Sequence, residues 1–511
     1  MIRKFPKSDV RFIIFVICIS LCYSICFTLS EFSDSPISGV RDALIIGLQW
    51  GAISFATFGL MYVLALSKLI FAIIFPLLTG FCTFLTYFRI TLKATLTPMT
   101  IDLALVNDWQ TNVQVASLEL ILYVTAALVL SIIIVHIRWK KVTYTKLAFG
   151  WLPLHAIIAF AIVTSVTHIQ PLKRPLSERM PYSVYYNFKR YLDERKLIAE
   201  NRSTFTENSV AMQDSVAVIL IIGESLRSDH LQLNGYHRQT TPLLSAEKNL
   251  VSYTSVYTEP CYTHVSVPHI LTRADSINPD IAYTEQSFVS IFKNAGFHTS
   301  WIANQESVDT YVYFMNECDT LIYSNSSKSL YTYDAWLDED ILPHLTKQLQ
   351  LPHSKQLHIL HAIGSHWWYN SHYTAEFEKF KPTIKSRVVS SNTQEEMINA
   401  YDNTIIYTDW FVSQVIETIR DKNAILLFIS DHGESLGEDG YYIHGVDRPE
   451  LHYPASFVWY SDKYKEQNPE FITKLRENRD KHWRTDYVFH SILDAARIES
   501  PYLQPNLSIF R

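Results

Sequence analysis

Cysteine is scarce outside the apolar runs of this 511-residue chain, and that limits how the polar part can be cross-linked. Cys18, Cys22, Cys26 and Cys82 lie inside uncharged stretches, where a thiol behaves as a small hydrophobe. Cys261 and Cys318 remain, so an extracytoplasmic compartment could close one disulfide and no larger framework. A basic stripe interleaved with aromatics is also missing and the formal net charge is −6, which argues against nucleic acid as a partner. No small-residue cleavage site follows the first apolar run. It therefore reads as an anchor and not as a removed signal peptide.

Charge itself is rare up to residue 169. A spanning helix needs ~20 mostly apolar residues, and five stretches qualify: 12–30, 43–67, 69–88, 120–137 and 147–169. Short-loop cations orient them. Arg3, Lys4, Lys7 and Arg11 precede the first stretch, and Arg138, Lys140, Lys141 and Lys146 follow the fourth, whereas the first loop carries Glu31, Asp34 and Asp42. The N-terminus is thus expected inside, and five crossings place the rest outside. In a Gram-negative bacterium that means a multi-pass inner-membrane protein with a periplasmic C-terminal part. The polar-dotted stretch TPMTIDLALVNDWQTNVQVASLEL suits either a helix on the outer membrane surface or an ordinary loop helix. LKRPLSERMPYSVYYNFKRYLDERK, rich in tyrosine and cations, fits phospholipid headgroups or a solvated linker. The expected organisation is a five-helix transmembrane domain at 1–170, a linker with bridging helices at 171–213, and a globular domain at 214–511.

The globular part alternates strand and helix. SVAVILIIGES and AILLFISDHGES are continuous apolar runs ending in polar residues, as buried parallel strands do. SFVSIFKNAGF and TQEEMINAYDNTIIYTDWFVSQVIETIR are helical in pattern. The expected fold class is α/β with a mostly parallel central sheet. Ligands collect at the carboxyl ends of such strands, where Glu224 closes the first run and Asp431 and His432 close the later one. Two acids and an imidazole form an N/O set suited to Zn²⁺, with Mn²⁺ as the alternative. Taken singly, an acid after a strand is more often a helix N-cap than a metal ligand.

GESLRSDHLQLNGYHRQTTPLL, CYTHVSVPHILT, LHAIGSH and SDHGESLGEDGYYIHG occur in this order, and together they resemble the phosphoethanolamine transferases of the sulfatase-like, alkaline-phosphatase superfamily. The resemblance extends over nearly the whole chain, because five spans before a periplasmic sulfatase-like domain is also that family's plan. It implies Glu224, Asp431 and His432 as metal ligands and Thr263 as a nucleophile that also ligates zinc. His366 and His444 match histidines that face the phosphoethanolamine group or a second metal. Asn304 resembles an asparagine that contacts the same group, with strand-end turn chemistry as the other reading. His361 and His452 are expected in supporting roles. Asn107 and Thr111 match positions near the donor lipid. Val115 stands where a glutamate is expected, and Glu119 is the candidate substitute.

The chemistry follows from the residue types. A threonine hydroxyl is a weak nucleophile at neutral pH unless a metal or base favours its alkoxide. The implied reaction moves phosphoethanolamine from phosphatidylethanolamine to an envelope glycolipid or glycan, with lipopolysaccharide core or lipid A foremost, through a phospho-threonine. His366 or His444 would handle the proton. One tight zinc site is expected, with room for a second metal. Two rivals stand beside this reading: a glycerol phosphate transferase resembling lipoteichoic-acid synthases, and a catalytically silent membrane scaffold. A true sulfatase is disfavoured, since no Cys/Ser-x-Pro-x-Arg segment is present. Family members acting on lipid A carry cysteines around the nucleophile, whereas Glu259 and His269 flank it here, which leaves the acceptor open.

Overall fold

A computed structural model describes residues 6–32, 35–92, 95–98, 100–101, 105, 118–145, 179–198, 200–328, 333–444 and 446–511. The chain divides into two compact units. One comprises Met1–Leu192 with Ser327–Thr332 and Ser386–Val388, and the other comprises Asp193–Ser326, Tyr333–Lys385 and Val389–Arg511.

Among the described residues of the first unit, four helices are long and apolar enough to cross a membrane. Helix α1 (Lys7–Tyr23) continues through π and 3-10 turns to Phe32. It is followed by α2 (Val40–Leu66), α3 (Lys68–Leu92) and α4 (Leu118–Lys140). The fifth expected span, 147–169, lies outside the described residues, as do Asn107, Thr111 and Val115. Large apolar side chains such as Leu69, Leu77, Leu122 and Ile132 stay exposed, as a helix that meets lipid requires. Sequence pattern separates α2 from α3 only at Lys68, and the structure shows why the chain turns there. Ser67 is extended, and the carbonyls freed at the end of α2 find side-chain donors. Arg138 donates to Ala65 O at 2.7 Å and Tyr144 donates to Leu66 O. Glu119 sits in the first turn of α4, where the Tyr87 hydroxyl lies 3.5 Å from its carboxylate.

The second unit is built on a seven-stranded sheet. In chain order its strands are β1 (Val216–Gly223), β2 (Leu250–Ser252), β3 (His298–Ala303), β4 (Thr320–Tyr323), β5 (Lys355–His361), β6 (Ala424–Ser430) and β7 (Ser456–Tyr460). The spatial order is β2-β7-β6-β1-β5-β3-β4. Pairing from β6 to β4 is parallel throughout, while β7 runs antiparallel to both β6 and β2. The expected mostly parallel sheet is thus present, with an antiparallel margin.

All eight residues of β1 are buried, because helices cover both sheet faces. Val216, Val218, Leu220 and Ile222 point to one side, against α5 (Thr263–Leu271), α6 (Phe288–Asn294) and the helix at Tyr487–Ala495, α8. Ala217, Ile219 and Ile221 point to the other, against α7 (Gln394–Ile419). The two helices expected from sequence are α6 and α7. Thr393 and Glu396 close a reciprocal capping box at the start of α7, satisfying two otherwise orphan N–H groups.

Candidate metal and nucleophile site

Parallel register brings the two acidic strand ends together. Gly223 of β1 lies opposite Ser430 of β6, so the residues that follow, Glu224 and Asp431, emerge side by side. Both are buried, as is His432, and one ligand atom from each lies within 4.8 Å of the others. His432 Nε2 is 3.5 Å from Glu224 Oε1 and 3.4 Å from Asp431 Oδ2.

The ring of His432 is held by a 2.7 Å contact between Nδ1 and the Gly433 carbonyl. A carbonyl can only accept, so Nδ1 bears a proton and Nε2 is the ring atom left facing the two acids. Asp431 Oδ1 accepts from Ser225 N at 3.0 Å and from His432 N at 2.8 Å, whereas its Oδ2 is buried with no hydrogen-bond partner. Burial, with Glu224 adding like charge, pushes the Asp431 carboxyl up to about 6. Two buried carboxylates beside an imidazole lone pair are costly alone and are what a divalent cation satisfies. The donor set therefore fits Zn²⁺.

Thr263 is the first residue of α5. The cap position falls to Tyr262 instead, and the Thr263 hydroxyl is directed into the cluster. It donates to Glu224 Oε2 at 2.9 Å and lies 3.3 Å from His432 Nε2. These contacts make Thr263 part of the cluster and not a cap of its helix.

Backbone close to the cluster is tightly constrained. Ser225 has a positive φ of 56°, uncommon for a residue with a Cβ, and is braced by Asp431 below and by the Tyr401 hydroxyl, which donates to its carbonyl at 2.7 Å. Gly364 has φ of 51°, and a Cβ there would stand 2.9 Å from the Glu224 N and O atoms. Asp338 clamps this approach by accepting from Ile363 N and Gly364 N at 2.8 and 3.0 Å.

Around the cluster, His444 and His366 lie close by. The His432 and His444 ring centroids are 4.7 Å apart, and those of His366 and His444 are 6.0 Å apart. His444 Nδ1 is 2.9 Å from Glu434 Oε2, while Glu434 Oε1 accepts from Tyr369 at 2.9 Å. Burial draws the His444 imidazolium down, but Glu434, with Glu224 and Asp431 adding negative charge, outweighs it, and the group is raised to about 9. Burial and then the neighbouring His444 lower His366 to about 4. His432, Glu434 and His444 form another group whose donor atoms lie within 4.8 Å.

The remaining candidates separate. His361 ends β5, buried between Trp301 and Tyr311, with Nδ1 unpartnered, and burial lowers it to about 4. The Asn304 amide is engaged by protein: it donates to Asp338 at 2.8 Å, and its oxygen accepts from Asn325, Trp336 and Ser324. His452 contacts Thr258 O and Asp447, away from the Glu224 cluster's donor set. Cys261 and Cys318 are both free thiols. Sequence reasoning missed Gln305, whose amide donates to Glu224 Oε2 at 3.0 Å, and Glu434. Glu434 stands inside SDHGES and could have been read from that motif. Gln305 had only its place after a strand end.

The sulfatase family model matches residues 217–498. The Kdo(2)-lipid A phosphoethanolamine 7''-transferase of Escherichia coli (strain K12) is 34% identical over 291 residues, which cover 54% of this chain and 50% of that protein. The chain thus spans about half the length of the curated relatives first matched. The integral membrane lipooligosaccharide phosphoethanolamine transferase A of Neisseria meningitidis has a similar fold, with a TM-score of 0.55 at 20% identity over 97% of this chain and 98% of that one. The zinc complex of the periplasmic domain of Escherichia coli EptC aligns with a TM-score of 0.54 at 26% identity, over 60% of this chain and 89% of that one.

Proposed function

Because this chain belongs to the sulfatase family, we propose that it is a membrane-anchored transferase that moves phosphoethanolamine from phosphatidylethanolamine to lipopolysaccharide, on its core or lipid A, by way of Thr263. The observation that carries this reading is the Thr263 hydroxyl set 2.9 Å from Glu224 and 3.3 Å from His432, beside a buried Asp431 oxygen with no hydrogen-bond partner. The similarity to a lipid A phosphoethanolamine transferase supports the transferred group and the acceptor class. The proposed organisation is a membrane domain at 1–170, a linker at 171–213 and a periplasmic catalytic domain at 214–511, with the N-terminus cytoplasmic.

In this mechanism Glu224, Asp431, His432 and the Thr263 hydroxyl would hold zinc. Bound there, zinc would supply a positive field that lowers the cost of negative charge on the threonine and phosphoryl oxygens. Thr263 Oγ1 attacks phosphorus, the bond to the diacylglycerol oxygen breaks, and diacylglycerol leaves as the alcohol after taking a proton. An acceptor oxygen then attacks the same phosphorus and releases Thr263. The Glu434 carboxylate 2.9 Å from His444 Nδ1 favours the protonated ring, which suits it to face phosphate and donate the proton. His366, held neutral by burial, suits proton acceptance from the acceptor. Gln305 orients Glu224.

The test uses full-length protein in detergent with labelled phosphatidylethanolamine and lipopolysaccharide. Wild type accumulates label on Thr263, mapped by mass spectrometry, and Thr263→Ala transfers none. Full transfer by Thr263→Ala with unchanged metal content would sink the covalent route. Label passing instead from phosphatidylglycerol would favour a glycerol phosphate transferase.

A further inference from the structure

A third group of donors, of different chemistry, gathers beside the segment that leads into Thr263. Cys261 Sγ, a carboxylate oxygen of Asp447 and a ring nitrogen of His452 lie within 4.8 Å of one another. Cys261 Sγ is 3.9 Å from Asp447 Oδ1, and His452 Nε2 is 2.7 Å from the same oxygen.

The hydrogen-bond inventory around His452 makes this contact informative. Nδ1 lies 2.7 Å from the Thr258 carbonyl, which can only accept, so Nδ1 bears the proton. The ring is stacked on Tyr257 at 5.0 Å and 8°, which fixes its plane. Nε2 is then the ring atom that faces the Asp447 carboxylate. At 2.7 Å the two atoms share a positive particle, which is a proton in a His452–Asp447 ion pair or a metal ion, and the thiol 3.9 Å from the same oxygen supplies a third, softer donor.

We propose that Cys261, Asp447 and His452 form a structural zinc site that fastens the segment bearing Thr263 to the segment bearing His444. Sulfur, imidazole nitrogen and carboxylate oxygen are the donor types zinc takes, and water completes a tetrahedron around three protein ligands. A thiolate in the set selects against magnesium and calcium. The Thr258 carbonyl on the far nitrogen of His452 is the usual support for a ligating imidazole. Cys261 is 4% exposed, whereas the Asp447 side chain is 70% exposed, so the ion has an entry route and a sheltered sulfur to bind. Thr263 follows Cys261 by two residues and Asp447 follows His444 by three, so one ion would tie together two parts of the candidate active site. The proposal stands independently of what Thr263 does.

Full-length protein in detergent is stripped with a chelator and reloaded with Co²⁺, because thiolate bound to Co²⁺ gives a near-ultraviolet charge-transfer band that an all-N/O centre does not. Wild type is expected to show the band and Glu224→Gln to keep it. Cys261→Ser and His452→Ala should lose it, together with one metal equivalent per chain by elemental analysis. A measurement on wild type guards against misfolded variants: saturating Zn²⁺ should slow alkylation of Cys261, mapped by mass spectrometry, at least ~tenfold, the factor set by nine-tenths occupancy. Absence of the band in wild type, its survival in Cys261→Ser, or equal alkylation with and without Zn²⁺ would overturn the site and leave a His452–Asp447 ion pair in its place.

Discussion

Asp431→Asn separates the folding cost of the proposed metal centre from its use. In metal-stripped protein, the buried Asp431 carboxyl faces Glu224 and is pushed from 3.8 up to about 6. That difference corresponds to about 3 kcal/mol of lost stability at neutral pH. Because the folded-state value lies above the unfolded one, the cost is absent where both states are protonated. It accumulates as pH rises from about 4 to about 6 and is complete above that. Asparagine keeps an oxygen for Ser225 N and His432 N while removing the charge. The chelated Asn variant should therefore melt higher than chelated wild type at about pH 8, by roughly 5 °C for a domain of this size, and the gap should close by about pH 4. Adding Zn²⁺ should reverse the order, since wild type gains from binding and the variant has lost a charged ligand. Thermal unfolding of full-length protein in detergent, read by intrinsic fluorescence at both pH values, is the assay. If the chelated variant melts at or below wild type at the higher pH, or the gap persists unchanged in acid, the electrostatic account of this cluster is wrong.

Three further outcomes follow from the same geometry. Gln305→Ala frees Glu224 Oε2 from its 3.0 Å donor and should weaken zinc binding or transfer by about 10- to 100-fold with little change in melting, as measured by zinc titration and initial rates. Glu434→Gln removes the carboxylate that lifts His444 to about 9, so the alkaline limb of the kcat/KM profile should move to lower pH; an unmoved limb would free His444 from a role as proton donor. Gly364→Ala combines a left-handed backbone with a Cβ 2.9 Å from Glu224 N and O, and should destabilise the folded state by at least ~1–2 kcal/mol and lower metal content. Melting and elemental analysis check it.

The strand ends were legible because buried parallel strands leave an unmistakable pattern. VAVILIIG and AILLFIS are apolar on both faces, and each stops next to a candidate ligand, Glu224 and Asp431. Four membrane-length helices were legible for the same reason, since lipid tolerates no charged face. Less was readable where function depends on what a side chain meets across the fold. Asn304 and Gln305 are neighbours in one strand-end segment, yet Asn304 is consumed by Asp338, Ser324, Asn325 and Trp336 while Gln305 reaches Glu224. No local pattern distinguishes them.

What the chain alone determined, then, is the apolar spans, the α/β alternation and the motif order that sets Glu224, Thr263, Asp431 and His432 apart. Periodicity and short motifs carry that information because it is local. Tertiary structure alone decided that β1 and β6 are parallel neighbours in a register that sets the two acids side by side, and that the Thr263 hydroxyl turns to Glu224 instead of capping its helix. It also decided that Cys261 stands beside Asp447 and His452, with Cys318 left as a separate buried thiol. These pairings join residues far apart in the chain, and only the packing of helices onto a shared sheet brings their charges and lone pairs within reach.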